Sequence, residues 1–307
     1  MKKLFLYLML GLFITGIVSC IKGKPEPLET GYSISYKNIT PERLQHARSV
    51  GIDHIEVSGM NALFDANRQL VNEKDSVLEQ FSAIKAAADA AGINIWSVHM
   101  PYGKLIDLSI ADEQERQAVV ELHKQVLEFC SVLDAEVFLF HPSYYLGLNE
   151  RQVRSQQLIQ SVKELNPAVQ NLNAIMVIEN MLGYELLKDE NRETPLLRSV
   201  EEVVALMEQM PESVFSAIDM NHIKYPEQLI RAMGTRLKSV HIADGDGKKE
   251  CHYLPCSGEG ENDWNAILNA LEEVKYDGPF MFECAYDDEQ DLISCYQNLF
   301  DQTFAGK

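Results

Sequence analysis

Residues 174–179 read Ala-Ile-Met-Val-Ile-Glu, five apolar residues closed by a carboxylate. A run so short and so apolar, without polar alternation, fits a strand buried on both faces of a parallel sheet. The same design recurs on either side. Downstream stand Val-Phe-Ser-Ala-Ile-Asp at 214–219, Lys-Ser-Val-His-Ile at 238–242 and Pro-Phe-Met-Phe-Glu-Cys at 279–284. Upstream stand Glu-Val-Phe-Leu-Phe-His at 136–141, Asn-Ile-Trp-Ser-Val-His at 94–99, Asp-His-Ile-Glu-Val-Ser at 53–58 and Gly-Tyr-Ser-Ile-Ser-Tyr at 31–36. Helical periodicity fills the intervals near 40–50, 75–91, 112–133, 149–171, 199–210, 225–234, 263–275 and 287–303. Thr40-Pro41, Ser199 before Glu201 and Glu202, and Asp263 before Trp264 are helix-start signals. Eight βα units with no internal linker predict an α/β fold, a single closed (β/α)8 barrel over residues 31–307. No GxGxxG follows the first strand, which sets aside an open dinucleotide-binding sheet.

Such a barrel gathers the C-terminal strand ends on one face, so side chains distant in sequence meet there. The strands finish on ionisable groups. The second contains Glu56, the third ends in His99, the fourth in His141, the fifth in Glu179, the sixth in Asp219, the seventh contains His241 and the eighth ends with Glu283. Unpaired carboxylates at the mouth of a packed barrel are costly, and a divalent cation neutralises several at once. Glu179, Asp219, His241 and Glu283 form an oxygen-rich set with one nitrogen, suited to manganese, magnesium, cobalt or zinc. Trp96, Tyr102, Tyr144 and Tyr145 stand in or beside the third and fourth strand ends, as a platform for a sugar ring or as rim packing. Met60, Asn61 and Phe64 lie in the connection after the second strand, a lid or a solvated loop.

These residues carry a resemblance. Val-Ile-Glu179-Asn180, Asp219-Met-Asn-His222, Ser-Val-His241-Ile-Ala-Asp244, Gly258-Glu259-Gly260 and Phe-Glu283 together resemble the xylose isomerase-like barrel superfamily, which holds sugar isomerases and epimerases and also the AP endonucleases. The isomerase and epimerase branch implies one catalytic metal on Glu179, Asp219, His241 and Glu283. It also implies substrate contacts from His222 and from Lys248, which stands near where that branch often has an arginine. The endonuclease branch implies further ligands at His99, His141, His222, Glu250 and His252, with Glu250 where an aspartate is usual, and so a multinuclear site. His99 and His141 are also candidate sugar-side contacts; from the residues themselves, Glu56 reads as a substrate-side or structural carboxylate rather than a ligand, and Trp96 as part of the aromatic platform.

A cation beside two glutamates suits proton transfer next to a carbonyl, with Glu179 and Glu283 as base and acid around an enediolate. Return of the proton elsewhere gives epimerisation or aldose-ketose isomerisation. A leaving group β to the carbanion turns the same intermediate into a lyase reaction on a keto-glycoside. A non-catalytic carbohydrate-binding barrel is a further reading, against which the retained glutamate pair argues. No phosphate-cradling loop is evident, so an unphosphorylated sugar or keto-sugar is the expected small-molecule partner.

The chain of 307 residues carries 27 Lys+Arg against 46 Asp+Glu, a net charge of −19. Nucleic acid is therefore not expected as a partner, because phosphate binding needs clustered cations. Lys2 and Lys3 precede an apolar run, Leu4 to Val18, that ends in Ile-Val-Ser-Cys20. This resembles a bacterial lipoprotein signal: a signal peptide at 1–19, a lipidated Cys20, and a tether over 20–30 with Pro25 and Pro27. The expectation is an extracytoplasmic protein held to a bacterial membrane only by lipid. Five cysteines then remain, Cys130, Cys251, Cys256, Cys284 and Cys295. Odd in number and scattered, they read as idle thiols, with Cys251–Cys256 the pairing to consider.

Overall fold

The computed structural model describes residues 24–182 and 190–306. The signal segment and Cys20 lie outside the described residues. Eight parallel strands run in the order β8-β1-β2-β3-β4-β5-β6-β7. They are β1 Thr30–Ser35, β2 His54–Ser58, β3 Asn94–His99, β4 Val137–Phe140, β5 Ile175–Glu179, β6 Val214–Asp219, β7 Leu237–His241 and β8 Phe280–Phe282. Just beyond β7, Ile242 bridges Phe282 in parallel, closing the ring into the expected (β/α)8 barrel. The helices alternate with the strands: α1 Pro41–Val50, α2 Lys74–Ala91, α3 Glu113–Cys130, α4 Arg151–Gln170, α5 Val200–Met207, α6 Pro226–Met233, α7 Trp264–Val274 and α8 Glu289–Phe304.

The start signals act as expected. Thr40 accepts from the Arg43 N–H with Pro41 in the first turn, Ser199 from Glu202, and Asp263 from Ala266. Each satisfies an N–H that the first turn leaves without a partner. Asp288 adds a reciprocal cap with Asp291 at α8. The stretch at 112–133 ends sooner than its periodicity, at Cys130, and a tight turn leads to Asp134 in the left-handed region.

Strand alternation decides what lies inside. Val137, Leu139, Val177 and Ala217 pack together, joined by Trp96, Ile175 and Phe215, as the apolar floor of the barrel. Two residues beyond Leu139, Val177 and Ala217 come His141, Glu179 and Asp219, which therefore point the same way one layer higher. Trp96 departs from the expected place at the mouth. Register slips between the Ile55–Ile95 and Glu56–Ser97 pairs, so Trp96 is an extra residue in β3. Its ring stands edge-on to His54 at 5.8 Å, in the lower half of the barrel. A bulge of this kind re-aims a side chain.

From Lys24 onward the segment read as a tether lies against the barrel. Lys24 pairs with Asp301 at 2.7 Å and sits over the Phe300 ring, and the Leu28 N–H donates to the Tyr296 hydroxyl at 2.7 Å. Pro25 and the half-buried Leu28 line one cleft with Tyr296, Phe300 and Phe304 of α8, which removes apolar surface from water. The cysteines are not all idle, and Cys251 is not the partner of Cys256. Cys256 is bonded to Cys295 of α8, with 5.6 Å between their Cα atoms, while Cys130, Cys251 and Cys284 are free. Barrel closure carries the loop after β7 onto α8, and that proximity has no trace in the spacing of the cysteines.

One buried group makes stability pH-dependent. His123 of α3 packs against Phe140 and is 1% exposed, and burial pushes its pKa down to about 3. Between an unfolded value near 6.5 and that folded value, the unfolded chain binds a proton that the folded chain refuses. Its contribution is complete above about pH 6.5 and is lost as pH falls. His123→Leu should flatten the acid limb of stability by up to about 1.4 kcal/mol per pH unit. Urea unfolding at pH 6, 5 and 4 checks this, and parallel pH trends for the two proteins would refute it.

Candidate metal centre

The four residues expected to share a cation converge. Glu179, Asp219, His241 and Glu283 each offer a ligand atom, and these atoms all lie within 4.8 Å of one another. β5, β6 and β7 supply the first three at their C-terminal ends, and Asp219 pairs in register with His241. Glu283 follows β8 directly, its N–H bonded to the Ile242 carbonyl. The His241 Nδ1 lies 2.8 Å from Glu179 Oε1 and 2.8 Å from Glu283 Oε2. Glu179, Asp219 and His241 are fully buried.

Three carboxylates around one imidazole leave an excess of negative charge. The Glu179 Oε2 and Asp219 Oδ2 atoms are buried and accept no hydrogen bond, although His141 Nε2 and His222 Nε2 stand 3.0 and 3.2 Å away. Orphaned carboxylate oxygens beside a histidine are what a hard divalent cation requires, and the donor set fits one. The electrostatics agree. Burial opposes charge on Glu283, yet the adjacent His241 holds its carboxyl down to about 2. Glu179 is held low in the same way. Burial also opposes charge on His241, but the carboxylates of Glu283, Glu56 and Glu179 raise it well above its ordinary value. Asp219 is the exception, since burial lifts it to about 6 against the pull of His222 and His252.

The further candidate ligands also gather. His99, His141 and Glu179 form a second group of the same compactness, and Asp219, His222 and His252 a third. Each shares one carboxylate with the cage. Glu250 bridges His222 at 3.2 Å and His252 at 3.1 Å. Burial works against charge on His252, but the bond to Glu250 carries it up to about 9. Lys248 stands two residues before Glu250, half-buried, with its N–H on Asp246. Asp244 turns away from the site: it is buried and takes the Trp264 indole N–H at 2.8 Å.

Glu56, expected as a substrate-side or structural carboxylate, lies behind His241. It is fully buried, 3.1 Å from His241 Nε2, and it accepts the Ser97 hydroxyl at 2.8 Å. Of the aromatic platform, Tyr102 stands at the mouth. Its ring stacks on His141 at 4.2 Å, and Asn61 clasps its backbone through both N–H and carbonyl. Tyr144 and Tyr145 pack edge to face, and Arg192 covers Tyr145 at 4.5 Å. Arg192 belongs to a two-residue strand, Arg192–Glu193, antiparallel to Leu146–Gly147, that edges the rim. Met60 and Phe64 are buried and form no free lid. The pattern of strand ends did not single out Asn180 or Ser97. The Asn180 side chain holds the Asp219 backbone at both N–H and carbonyl, and its own carbonyl lies 2.9 Å from His222 Nδ1. Its signal was its place directly after Glu179.

Fold and donors together define a barrel with a candidate metal cage at the C-terminal ends of its strands. The chain belongs to the xylose isomerase-like TIM barrel family, whose family model matches residues 44–297. A fructoselysine 3-epimerase of Escherichia coli O157:H7 is 20% identical over 197 residues, covering 62% of this chain and 65% of that protein. Among solved structures, a D-tagatose 3-epimerase-like protein superposes with a TM-score of 0.69 at 17% identity, over 89% of this chain and 98% of that one. A 3-keto-D-glucoside 4-epimerase from E. coli gives 0.63 at 15%, over 88% and 99%. At such identities the structural likenesses are of fold.

Proposed function

We propose that the chain is a metal-dependent sugar isomerase or epimerase that moves a proton next to a carbonyl of an unphosphorylated sugar or keto-sugar. The observation that carries this is the pairing of Glu179 and Glu283 on one imidazole nitrogen inside a cage with orphaned carboxylate oxygens. Glu179, Asp219, His241 and Glu283 would hold the ion. A divalent cation there supplies Lewis acidity to carbonyl and hydroxyl oxygens. Glu179 and Glu283 take the proton from the carbon beside the carbonyl and return it, one as base and the other as acid. Tyr102, stacked on His141, would offer a flat apolar face to the ring, and His222 and Lys248 are assigned to its hydroxyls. The names of the relatives, 3- and 4-epimerases of sugars, support the reading. The test is NMR of ketohexoses and 3-keto-glucosides with metal-loaded protein in deuterated water. A new epimer with deuterium at the inverted carbon is expected. Unchanged substrates across that panel would overturn the proposal.

The groups His99–His141–Glu179 and Asp219–His222–His252 favour a second reading, in which more than one cation binds and hydrolytic chemistry of the endonuclease branch comes within reach. Elemental analysis separates the two, at about one metal per chain against two or three.

We also propose that the protein works outside the cytoplasm, anchored through a lipid on Cys20. The Cys256–Cys295 bond supports this, since disulfides persist in oxidising compartments. Cys20→Ala should leave the lipid-labelled membrane fraction, and unchanged labelling would refute the anchor.

A further inference from the structure

His241 is gripped from both sides. Its Nδ1 edge faces Glu179 and Glu283, each at 2.8 Å, and its Nε2 edge faces Glu56 at 3.1 Å. Glu56 comes from β2, across the barrel interior, and none of its surface reaches solvent. Among the described residues it belongs to none of the compact ligand groups, whereas His241 belongs to two. The imidazole ring therefore stands between Glu56 and the cage. Glu56 is fixed in turn by the Ser97 hydroxyl, which donates to its Oε2 at 2.8 Å from the adjacent strand and is itself fully buried. His99 lies nearly parallel over His241, its ring centre 5.7 Å away at an interplanar angle of 13°, which limits how the ring can tilt.

A neutral imidazole carries one N–H and one lone pair, and only the lone pair can bind a cation. Two carboxylates at Nδ1 by themselves favour a proton on that nitrogen, which is the wrong tautomer for the cage. An acceptor at Nε2 offsets this, because when a cation takes the Nδ1 lone pair the N–H at Nε2 has a buried hydrogen bond of its own.

We infer that Glu56 is a positioning residue of the metal centre. It accepts the Nε2–H of His241, sets the ring so that Nδ1 presents its lone pair to the cage, and is held to the task by Ser97. This rests on the metal reading above and gives Glu56, expected as a substrate-side or structural carboxylate, the part of the support behind a ligand. Both hydrogen-bond partners of this buried side chain, Ser97 and His241, meet it at Oε2, while Oε1 accepts no hydrogen bond and lies 3.1 Å from His241 Nε2.

Cobalt(II) titration of the full-length protein, followed by visible absorption, tests the assignment together with 15N NMR of the imidazole nitrogens in the zinc-loaded form. The wild type should show His241 with a protonated Nε2 and a metal-bound Nδ1. Glu56→Gln keeps the volume but loses the charge, and should bind cobalt 10- to 100-fold more weakly, with the Nε2–H signal shifted or lost to exchange. Ser97→Ala should weaken cobalt several-fold through the same route. A folded Glu56→Gln with wild-type affinity and an unchanged His241 spectrum overturns the inference. Should that variant fail to fold, Ser97→Ala decides alone, and unchanged affinity there overturns it as well. Wild-type protein that takes up no cobalt overturns the metal reading itself, and this assignment with it.

Discussion

Glu179→Gln and Glu283→Gln should each keep the fold and lose roughly a hundred- to ten-thousand-fold in turnover, the contribution general base or acid catalysis makes to a proton transfer. Glutamine preserves side-chain volume and one oxygen ligand while abolishing basicity, so it separates proton transfer from metal retention better than alanine does. The two positions differ in exposure, and that sharpens the expectation. Glu179 is buried with its Oε2 accepting no hydrogen bond, whereas the Glu283 side chain keeps 24% of its surface open to the mouth. Metal content must be measured beside turnover. A variant that retains metal and near-normal turnover is a ligand only, and the role of base or acid then passes to the other glutamate. If both retain turnover, the proton-transfer mechanism fails. Solvent deuterium in the product should disappear with turnover, and its absence from the wild-type product would point to an internal hydride shift.

Asp219→Asn should act in opposite directions on metal and on the metal-free fold. Asparagine can still accept the Asn221 N–H that Asp219 Oδ1 now takes at 2.7 Å. It removes a charge that burial makes unfavourable, since the carboxyl is lifted to about 6 in the folded protein. The sign follows from the direction of that shift. A carboxyl whose folded pKa exceeds its unfolded value costs stability above the unfolded pKa, and the cost is complete above the folded one. At pH 7 to 8 the metal-free variant should therefore be more stable than wild type. Its metal affinity should fall by more than the 10- to 100-fold typical of losing an outer partner. Thermal melts with and without manganese read both effects at once. Metal binding as tight as that of the wild type would remove Asp219 from the cage.

The barrel was legible because its strands are buried on both faces. A residue such as Val177 has no polar neighbour to confuse the pattern, and each helix opens on a cap that a short side chain can satisfy. The cage was legible for a related reason: period-two alternation puts Glu179 above Val177 and Asp219 above Ala217, so strand-end residues of equal parity face one another. What sequence could not convey is depth and sidedness. Trp96 sits three residues before His99, but one extra residue in β3 turns it toward the floor. Glu56 has the right chemistry for a ligand and stands on the wrong side of His241, a relation between two strands on which neither sequence segment bears. The disulfide was hidden for the same reason, since Cys256 and Cys295 meet only after the barrel has closed.

The docking of Lys24 and Leu28 on α8 has a consequence for direction. Strands and helices of the barrel run opposite ways, so α8 starts beside the mouth at Glu289 and ends near the start of β1. Lys24 holds Asp301, close to that far end. Only three residues separate Cys20 from Lys24, a reach of about 14 Å when fully extended. Twelve residues of helix, about 18 Å, lie between Asp301 and the start of α8 at the mouth. A barrel anchored through Cys20 would thus stand on the membrane by its closed end, with its opening turned toward the water and to solutes arriving from it. A headgroup quencher that dims a fluorophore placed near Asp301 should then leave one at the rim, near Tyr225, bright.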